Sequence, residues 1–209
     1  ITRNKNGKVY LLCTDGVAEF DLTTQRFKTL LQGNVDAIYF NEKLYIGKRE
    51  EVFVYNESTG NFDLYYHLAG KDITLSCLHL DEKKNLWMGT TSNGLYCLSG
   101  DKKISQPVTR GNIASIYEDS SKELWICTWE EGLYRIKTDS TIENFRHDPK
   151  NPNSICADFV RSCCEDNAGN LWIGTFHGLN RYEKSTGKFQ LYTANANKPD
   201  GLTHSSIWC

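Results

Sequence analysis

The sequence Leu171-Trp172-Ile173-Gly174-Thr175 occurs three times in nearly the same form, each time followed after two or three intervening residues by Gly-Leu. The other copies are Leu86-Trp87-Met88-Gly89-Thr90 and Leu124-Trp125-Ile126-Cys127-Thr128. Successive side chains of a strand point to opposite faces, and both faces of this pentapeptide are apolar. We therefore predict an inner strand that is covered on both sides.

Two weaker copies precede these three, and together the five copies define a repeat. Their equivalent positions are Leu11, Tyr45, Trp87, Trp125 and Trp172, which are 34, 42, 38 and 47 residues apart. This period matches the blades of a β-propeller, which contain roughly 40–50 residues. A helical repeat is the alternative, but no long window carries an apolar stripe at helical spacing.

One complete repeat can be divided into four short strands separated by turn residues. We predict strands at Phe159–Glu165, Leu171–Thr175, Leu179–Tyr182 and Lys188–Tyr192. The intervening segments are rich in Gly, Asn, Asp and Ser, which favour tight turns. The sequence therefore predicts an all-β protein, a β-propeller built from four-stranded antiparallel blades.

We expect residues 1–209 to form a single propeller segment. The repeats fall at approximately 1–33, 34–70, 71–111, 112–154 and 155–204, with 205–209 beginning the next blade. The first copy lacks a recognisable first strand. The five copies could close into a ring, but we favour a segment of a longer chain, because a natural terminus rarely falls on an apolar strand. An unpaired blade edge invites pairing, so we also expect dimers.

The small residue inside the repeated strand predicts close packing between blades. Gly89, Gly174, Cys127 and Cys13 occupy this position, and a missing side chain in a strand usually means that another element approaches closely.

Composition excludes several functions. The net charge is −2 and there is no cluster of Lys and Arg, which argues against nucleic-acid binding. No apolar stretch approaches the roughly 18 residues of a membrane span. The eight cysteines include no CxxC pair, so we expect small buried hydrophobic residues, no metal site and no cofactor. One oxidised cysteine pair stays open as an alternative.

Candidate binding residues lie in the loops between second and third strands and between blades, which share one face of a propeller. Trp129 follows the repeated strand directly, beside Glu130, and its ring could stack on a sugar. Phe176 and His177 form the equivalent loop one repeat later. Each of these residues could instead serve packing alone.

Three further candidates are Arg49, Asn93 and Arg146. Either arginine could pair with the carboxylate or sulfate of an acidic sugar, although both could equally be surface residues. We expect no catalytic residues, because Glu130 and Glu131 are adjacent and seldom could flank one glycosidic bond, and no Gly-x-Ser-x-Gly motif occurs.

The pattern from Asp166 to Leu179 resembles the two-component regulator propeller repeat. The resemblance is fullest over residues 145–208 and looser in the first two copies. It rests on the segments Phe145–Pro149, Asn153–Ile155, Gly169–Thr175, Thr186–Phe189 and Leu202–Trp208.

The resemblance implies a seven-bladed propeller, of which this chain would be a part. It also implies the periplasmic sensor region of a dimeric hybrid two-component protein, whose membrane span, histidine kinase and response regulator lie on the same polypeptide. Such sensors recognise oligosaccharides released from polysaccharides.

Three functions follow as hypotheses. The favoured one is a non-catalytic sensor segment that binds an oligosaccharide. The second is a protein-interaction propeller without a small ligand, and the third is a polysaccharide lyase or hydrolase.

Overall fold

The computed structural model describes residues 1–3, 8–70, 72–105, 108–194 and 202–208, and this part of the chain is entirely β-structure and irregular segments. It forms two compact units, residues 1–105 and 106–209. No helix capable of crossing a membrane occurs among the described residues.

The first unit contains three four-stranded antiparallel sheets, each with its strands in chain order. The first sheet comprises β1 (Thr2–Arg3), β2 (Lys8–Cys13), β3 (Gly16–Asp21) and β4 (Arg26–Gln32). The second comprises β5 (Ala37–Asn41), β6 (Lys43–Lys48), β7 (Glu51–Asn56) and β8 (Asn61–His67). The third comprises β9 (Leu75–Leu80), β10 (Leu86–Thr90), β11 (Leu95–Leu98) and β12 (Ile104–Ser105).

The second unit contains two sheets of the same kind. The fourth sheet comprises β13 (Ile113–Glu118), β14 (Leu124–Thr128), β15 (Leu133–Ile136) and β16 (Ile142–Phe145). The fifth comprises β17 (Val160–Glu165), β18 (Leu171–Thr175), β19 (Gly178–Glu183) and β20 (Lys188–Tyr192). The predicted all-β class and the four-stranded blade are confirmed, and each sheet falls within one of the proposed repeat ranges.

The ends of the chain differ from the sequence prediction. The first copy does have a first strand, because Thr2 and Arg3 of β1 pair with Tyr10 and Val9 of β2. Two residues are too few to display the alternation by which a strand is recognised. At the other end, residues 205–208 form no strand, and Cys209 lies outside the described residues.

The repeated inner strand is buried as predicted. All five residues of β10 and of β14 are buried, because each strand is central in its sheet and covered on both faces. In the second unit β17 packs against β13 and β14, and the resulting core includes Trp125, Leu171 and Ile173.

The small residue in this strand does permit close packing between consecutive repeats. A Cβ on Gly174 would lie 2.9 Å from Cγ2 of Ile207, and one on Gly47 would lie 3.0 Å from Cδ1 of Leu75, the first residue of the next sheet. Ile207 therefore packs on Gly174 of the fifth sheet as Leu75 packs on Gly47 of the second sheet. Cys127 is also fully buried, but the prediction was wrong for Cys13, which is exposed.

The first hairpin of each strong repeat is fixed by an aspartate. The Asp166 carboxylate accepts the backbone N–H groups of Ala168 and Asn170, both at 2.9 Å, and the indole N–H of Trp172 at 2.8 Å. The side-chain amide of Asn170 also donates to this carboxylate at 3.0 Å and is the largest cause of its low pKa; the Trp172 indole and the backbone N–H groups lower the pKa further. The same bond joins Asp81 to Trp87 at 2.9 Å and Asp119 to Trp125 at 2.8 Å.

A largely buried lysine links the two sheets of the second unit. The Nζ of Lys184 lies 2.7 Å from Oδ2 of Asp119 and 2.5 Å from Oε1 of Glu165. Burial acts to raise the pKa of both carboxyl groups, but hydrogen bonds, that of Lys184 foremost, outweigh it and leave both pKa values below normal. The three groups therefore form a fully charged cluster at neutral pH.

Two cysteines also meet between these sheets. The Sγ atoms of Cys127 and Cys163 are 3.6 Å apart, and all seven described cysteines are free thiols. A hydrogen bond with Cys127 and burial both raise the pKa of the Cys163 thiol. Such thiols are poor nucleophiles.

Candidate functional site

A buried threonine closes the loop after each repeated inner strand. The hydroxyl of Thr128 donates to the carbonyl of Gly132 at 2.7 Å and accepts the N–H of Glu131 at 2.9 Å. The equivalent donor–acceptor distances are 2.8 Å from Thr90 to Gly94 and from Thr175 to Gly178. The threonine of the sequence motif therefore anchors the loops that carry the candidate residues.

Three aromatic rings form a row across the loops of the second unit. Trp129 packs on Phe159, with ring centroids 4.8 Å apart, and Phe159 packs on Phe176 at 5.4 Å. The backbone ties the same loops together, since Phe176 N–H donates to the carbonyl of Phe159 at 3.3 Å. The Phe176 side chain is half exposed. We call these three residues the aromatic row.

An arginine lies against one end of this row. The guanidinium carbon of Arg161 is 4.9 Å from the ring centroid of Trp129 and 4.5 Å from that of Trp208. Arg161 follows Val160 on β17, and Trp208 follows Ile207, so the two residues occupy equivalent places in consecutive repeats. Arg161 is partly buried, and Trp208 is largely exposed.

Most charged groups around the row already have partners. Arg146 donates to Oδ2 of Asp158 at 2.8 Å and to the carbonyl of Glu130 at 3.0 Å. The guanidinium of this predicted binding residue therefore links neighbouring loop segments. Glu131 accepts the hydroxyl protons of Thr109 and Tyr134. Burial first, and then the Glu131 carboxylate, raise the pKa of Tyr134.

The predicted residues are brought together only in part. Trp129 and Phe176 are joined through Phe159, and the His177 ring contacts Phe176 with a centroid separation of 5.9 Å. The side chains of Glu130 and His177 are exposed.

Two predicted residues belong to the first unit. Arg49 is exposed, and its backbone N–H donates to Asp36 Oδ2 at 2.5 Å. Asn93 is partly buried, and its backbone N–H donates to the Thr90 hydroxyl at 2.9 Å. The loop of Asn93 thus has the same threonine anchor as the loop of Trp129.

The first unit also contains a surface cavity of about 410 Å³. Tyr10, Phe40, Tyr55 and the carboxylates Glu42, Glu57 and Asp63 are among its lining residues. It lies at the hairpin ends of β5–β6 and β7–β8, opposite the loop end of the sheet, and no predicted binding residue lines it.

Sequence reasoning missed Phe159, Arg161 and Trp208 as members of the site. Phe159 was assigned only as a strand residue. The signal for the other two was available, because Val160-Arg161 and Ile207-Trp208 align as the starts of consecutive repeats.

Residues 154–177 match the model of the two component regulator propeller family. This match confirms the resemblance inferred from the repeat, and the matched stretch includes Phe159, Arg161 and Phe176. No curated protein matches the chain.

Solved structures share the fold at low sequence identity. Virginiamycin B lyase from Staphylococcus aureus is 14% identical with a TM-score of 0.73, covering 94% of this chain and 70% of that one. The extracellular domain of B. thetaiotaomicron BT4673, described as a one component system, is 18% identical with a TM-score of 0.69, covering 98% and 36%.

A second structure of the BT4673 extracellular domain, described as a hybrid two component system, is 19% identical with a TM-score of 0.51. It covers 94% of this chain and 35% of that one. The chain therefore spans about a third of the length of these extracellular domains. At such identities the likeness concerns the fold alone.

Proposed function

We propose that this chain is part of the extracytoplasmic sensor region of a hybrid two-component signalling protein and that it binds an oligosaccharide without transforming it. One observation carries the proposal. The stretch that matches the regulator propeller family, residues 154–177, also supplies two of the three rings of the aromatic row.

The chemistry of the row suits a sugar. Aromatic faces are apolar but carry a negative quadrupole, so they can receive the C–H face of a pyranose ring. Trp129 and Phe176 lie on separate loops and meet through Phe159. A row of this kind could contact more than one sugar unit, which favours an oligosaccharide over a monosaccharide.

Binding is a better proposal than catalysis. A lyase or hydrolase needs an acid and a base free to exchange protons with substrate. Glu131 and Asp158 are engaged in local hydrogen bonds, and Nδ1 of His147 lies 2.9 Å from the carbonyl oxygen of Ile155. Because virginiamycin B lyase has a similar fold, cleavage of the glycan must also be measured.

On this proposal the sensor lies in the periplasm, forms a homodimer and signals to a histidine kinase on the same polypeptide. A ligand shifts an equilibrium between two dimer arrangements only to the extent that it binds one more tightly than the other. The extracellular domains with a similar fold support the placement outside the cytoplasm.

Thermal unfolding of the intact protein with a panel of neutral and acidic oligosaccharides tests the proposal. A ligand specific for the folded state at a hundred times its Kd stabilises by about 2.7 kcal/mol. We expect one glycan class to raise the midpoint and Trp129→Ala to abolish the rise. Phe27→Ala removes an exposed ring from β4 of the first sheet and is the matched control. The glycan should still raise the unfolding midpoint of this variant.

Three outcomes count against parts of the proposal. Equal shifts in Trp129→Ala and the parent would remove the aromatic row as the site. Cleavage of the glycan during incubation would favour a lyase or hydrolase. No shift with any glycan would favour the second candidate, a surface for a protein partner.

A further inference from the structure

We infer that the ligand of this site carries a carboxylate or sulfate group and that Arg161 receives it. The inference rests on the proposed function and deepens it by naming the ligand class as an acidic oligosaccharide. Arg161 was not among the residues predicted from sequence, and its role follows from its surroundings.

The first step is that Arg161 lacks a charge partner. Its guanidinium makes no hydrogen bond or ion pair with any residue that the structure describes, whereas Arg146 in the same loop region binds Asp158 through two nitrogen atoms. Asp158 and Glu131 have partners of their own. The donors of Arg161 therefore stay available for a ligand.

The second step is that the guanidinium is held in position without using its donors. Its contacts with Trp129 and Trp208 are to ring faces, at 4.9 and 4.5 Å. Cation–π contacts fix a guanidinium by its flat face. The N–H groups at its edge form a rigid fork that matches the two oxygens of a carboxylate or sulfate.

The third step joins this fork to the aromatic row. Trp129 contacts both Arg161 and Phe159, so one ring belongs to both surfaces. A sugar that stacks on the row would carry its anionic substituent towards Arg161. Uronic acids and sulfated sugars have this combination of an apolar ring face and a fixed anionic group.

The anion has to compete with water and with the exposed carboxylate of Glu130, which directly follows Trp129 in the sequence. Two features favour the anion. Arg161 is partly buried, which strengthens its charge interactions relative to bulk water, and its pre-ordered position reduces the entropy lost when the ligand binds.

The test uses a matched pair of probes, an oligogalacturonate and its methyl ester, which share a backbone and differ in charge. Binding to the intact protein is measured by titration calorimetry and by tryptophan fluorescence. We expect the acid to bind at least about tenfold more tightly than the ester, as one hydrogen bond between charged groups would supply. Sulfated disaccharides serve as a second acidic class.

Two variants locate the effect. Arg161→Gln should reduce affinity for the acidic glycan by about tenfold or more and leave that for the ester unchanged. Arg161→Lys keeps the charge but loses the fork, so it should show an intermediate loss. Arg146→Gln is unsuitable as a control because it breaks the Asp158 pair, and Arg181→Gln on β19 of the same unit is used instead.

The outcomes separate the two proposals. Preferential binding of the ester or of neutral oligosaccharides, unaffected by Arg161→Gln, overturns the acidic-ligand inference while the sensor proposal stands. Binding of no glycan by a folded protein overturns both. Loss of acid and ester binding together in Arg161→Gln would assign Arg161 to packing of the tryptophans, and the inference would fail.

Discussion

Replacement of Lys184 by methionine should destabilise the second unit more than the same replacement of an exposed lysine in that unit. The side chains of Lys184, Asp119 and Glu165 are only 18%, 0% and 8% exposed. Methionine fills the same space but leaves two buried carboxylates without their cation.

The magnitude follows from the burial of this cluster. Removing one partner of a buried ion pair costs about 3–5 kcal/mol. The lower end applies here because Lys184 keeps some contact with water, and because Asp119 retains donors from Trp125, Ser121 and Glu123. A loss of about 3 kcal/mol lowers Tm by roughly 12–24 °C in a cooperative unit of about 100 residues, the size of this one.

The pH dependence gives an independent check. The pKa values of Asp119 and Glu165 are lowered in the folded state, so their contribution is present at neutral pH and is lost as pH falls through those lowered values. In Lys184→Met the two carboxylates are buried without their cation, so protonating them increases the free energy of unfolding. The deficit of the variant should therefore shrink between pH 7 and pH 4.

Calorimetry or circular dichroism melts of the parent, Lys184→Met and the exposed control Lys150→Met measure both effects. Equal midpoints for the two methionine variants at pH 7 would refute the reasoning. So would a deficit that stays constant with pH, because that result would assign the loss to packing rather than to charge.

Two further predictions concern the loops and the cysteines. Gly132→Ala should cost at least about 1–2 kcal/mol, because its φ is +79° and an added Cβ would lie 2.3 Å from the carbonyl oxygen of Phe145. Gly187→Ala has a similar φ of +70° but open space around the Cβ, so its smaller drop in Tm isolates the clash, and equal drops would contradict it. Among the described cysteines, a maleimide should label exposed Cys13 and Cys164 in the native protein. Cys97, Cys127 and Cys163 should react only after unfolding, and burial raises the pKa of Cys97 to about 11. Peptide mapping identifies the labelled cysteines. Rapid labelling of these three in the native protein would contradict the prediction and would show that the sheets open.

The sequence was sufficient to predict the strands of the strong repeats. The fifth sheet matches the predicted strands to within one residue at each end, because alternation and turn residues are local signals. The weak first copy was less well predicted, since β1 has only two residues.

The contacts between repeats were harder to predict. The bond from each aspartate to a tryptophan six residues later recurs at Asp81, Asp119 and Asp166, so its constant spacing could have revealed it. The alignment of Val160-Arg161 with Ile207-Trp208 gives Arg161 and Trp208 equivalent places in the repeat, but the contacts of Arg161 with Trp129 and Trp208 depend on how consecutive repeats pack. The site was therefore predicted only where its residues lie in the repeated loop.

The threonine anchor separates the architecture of the repeat from the chemistry of its loop. Thr128 and Gly132 enclose three residues, and Thr175 and Gly178 enclose two, yet both loops close with the same hydrogen bond. The enclosed residues can change in number and kind without altering the strands on either side. A lineage carrying this repeat can therefore acquire new ligand preferences through substitutions that leave folding almost untouched.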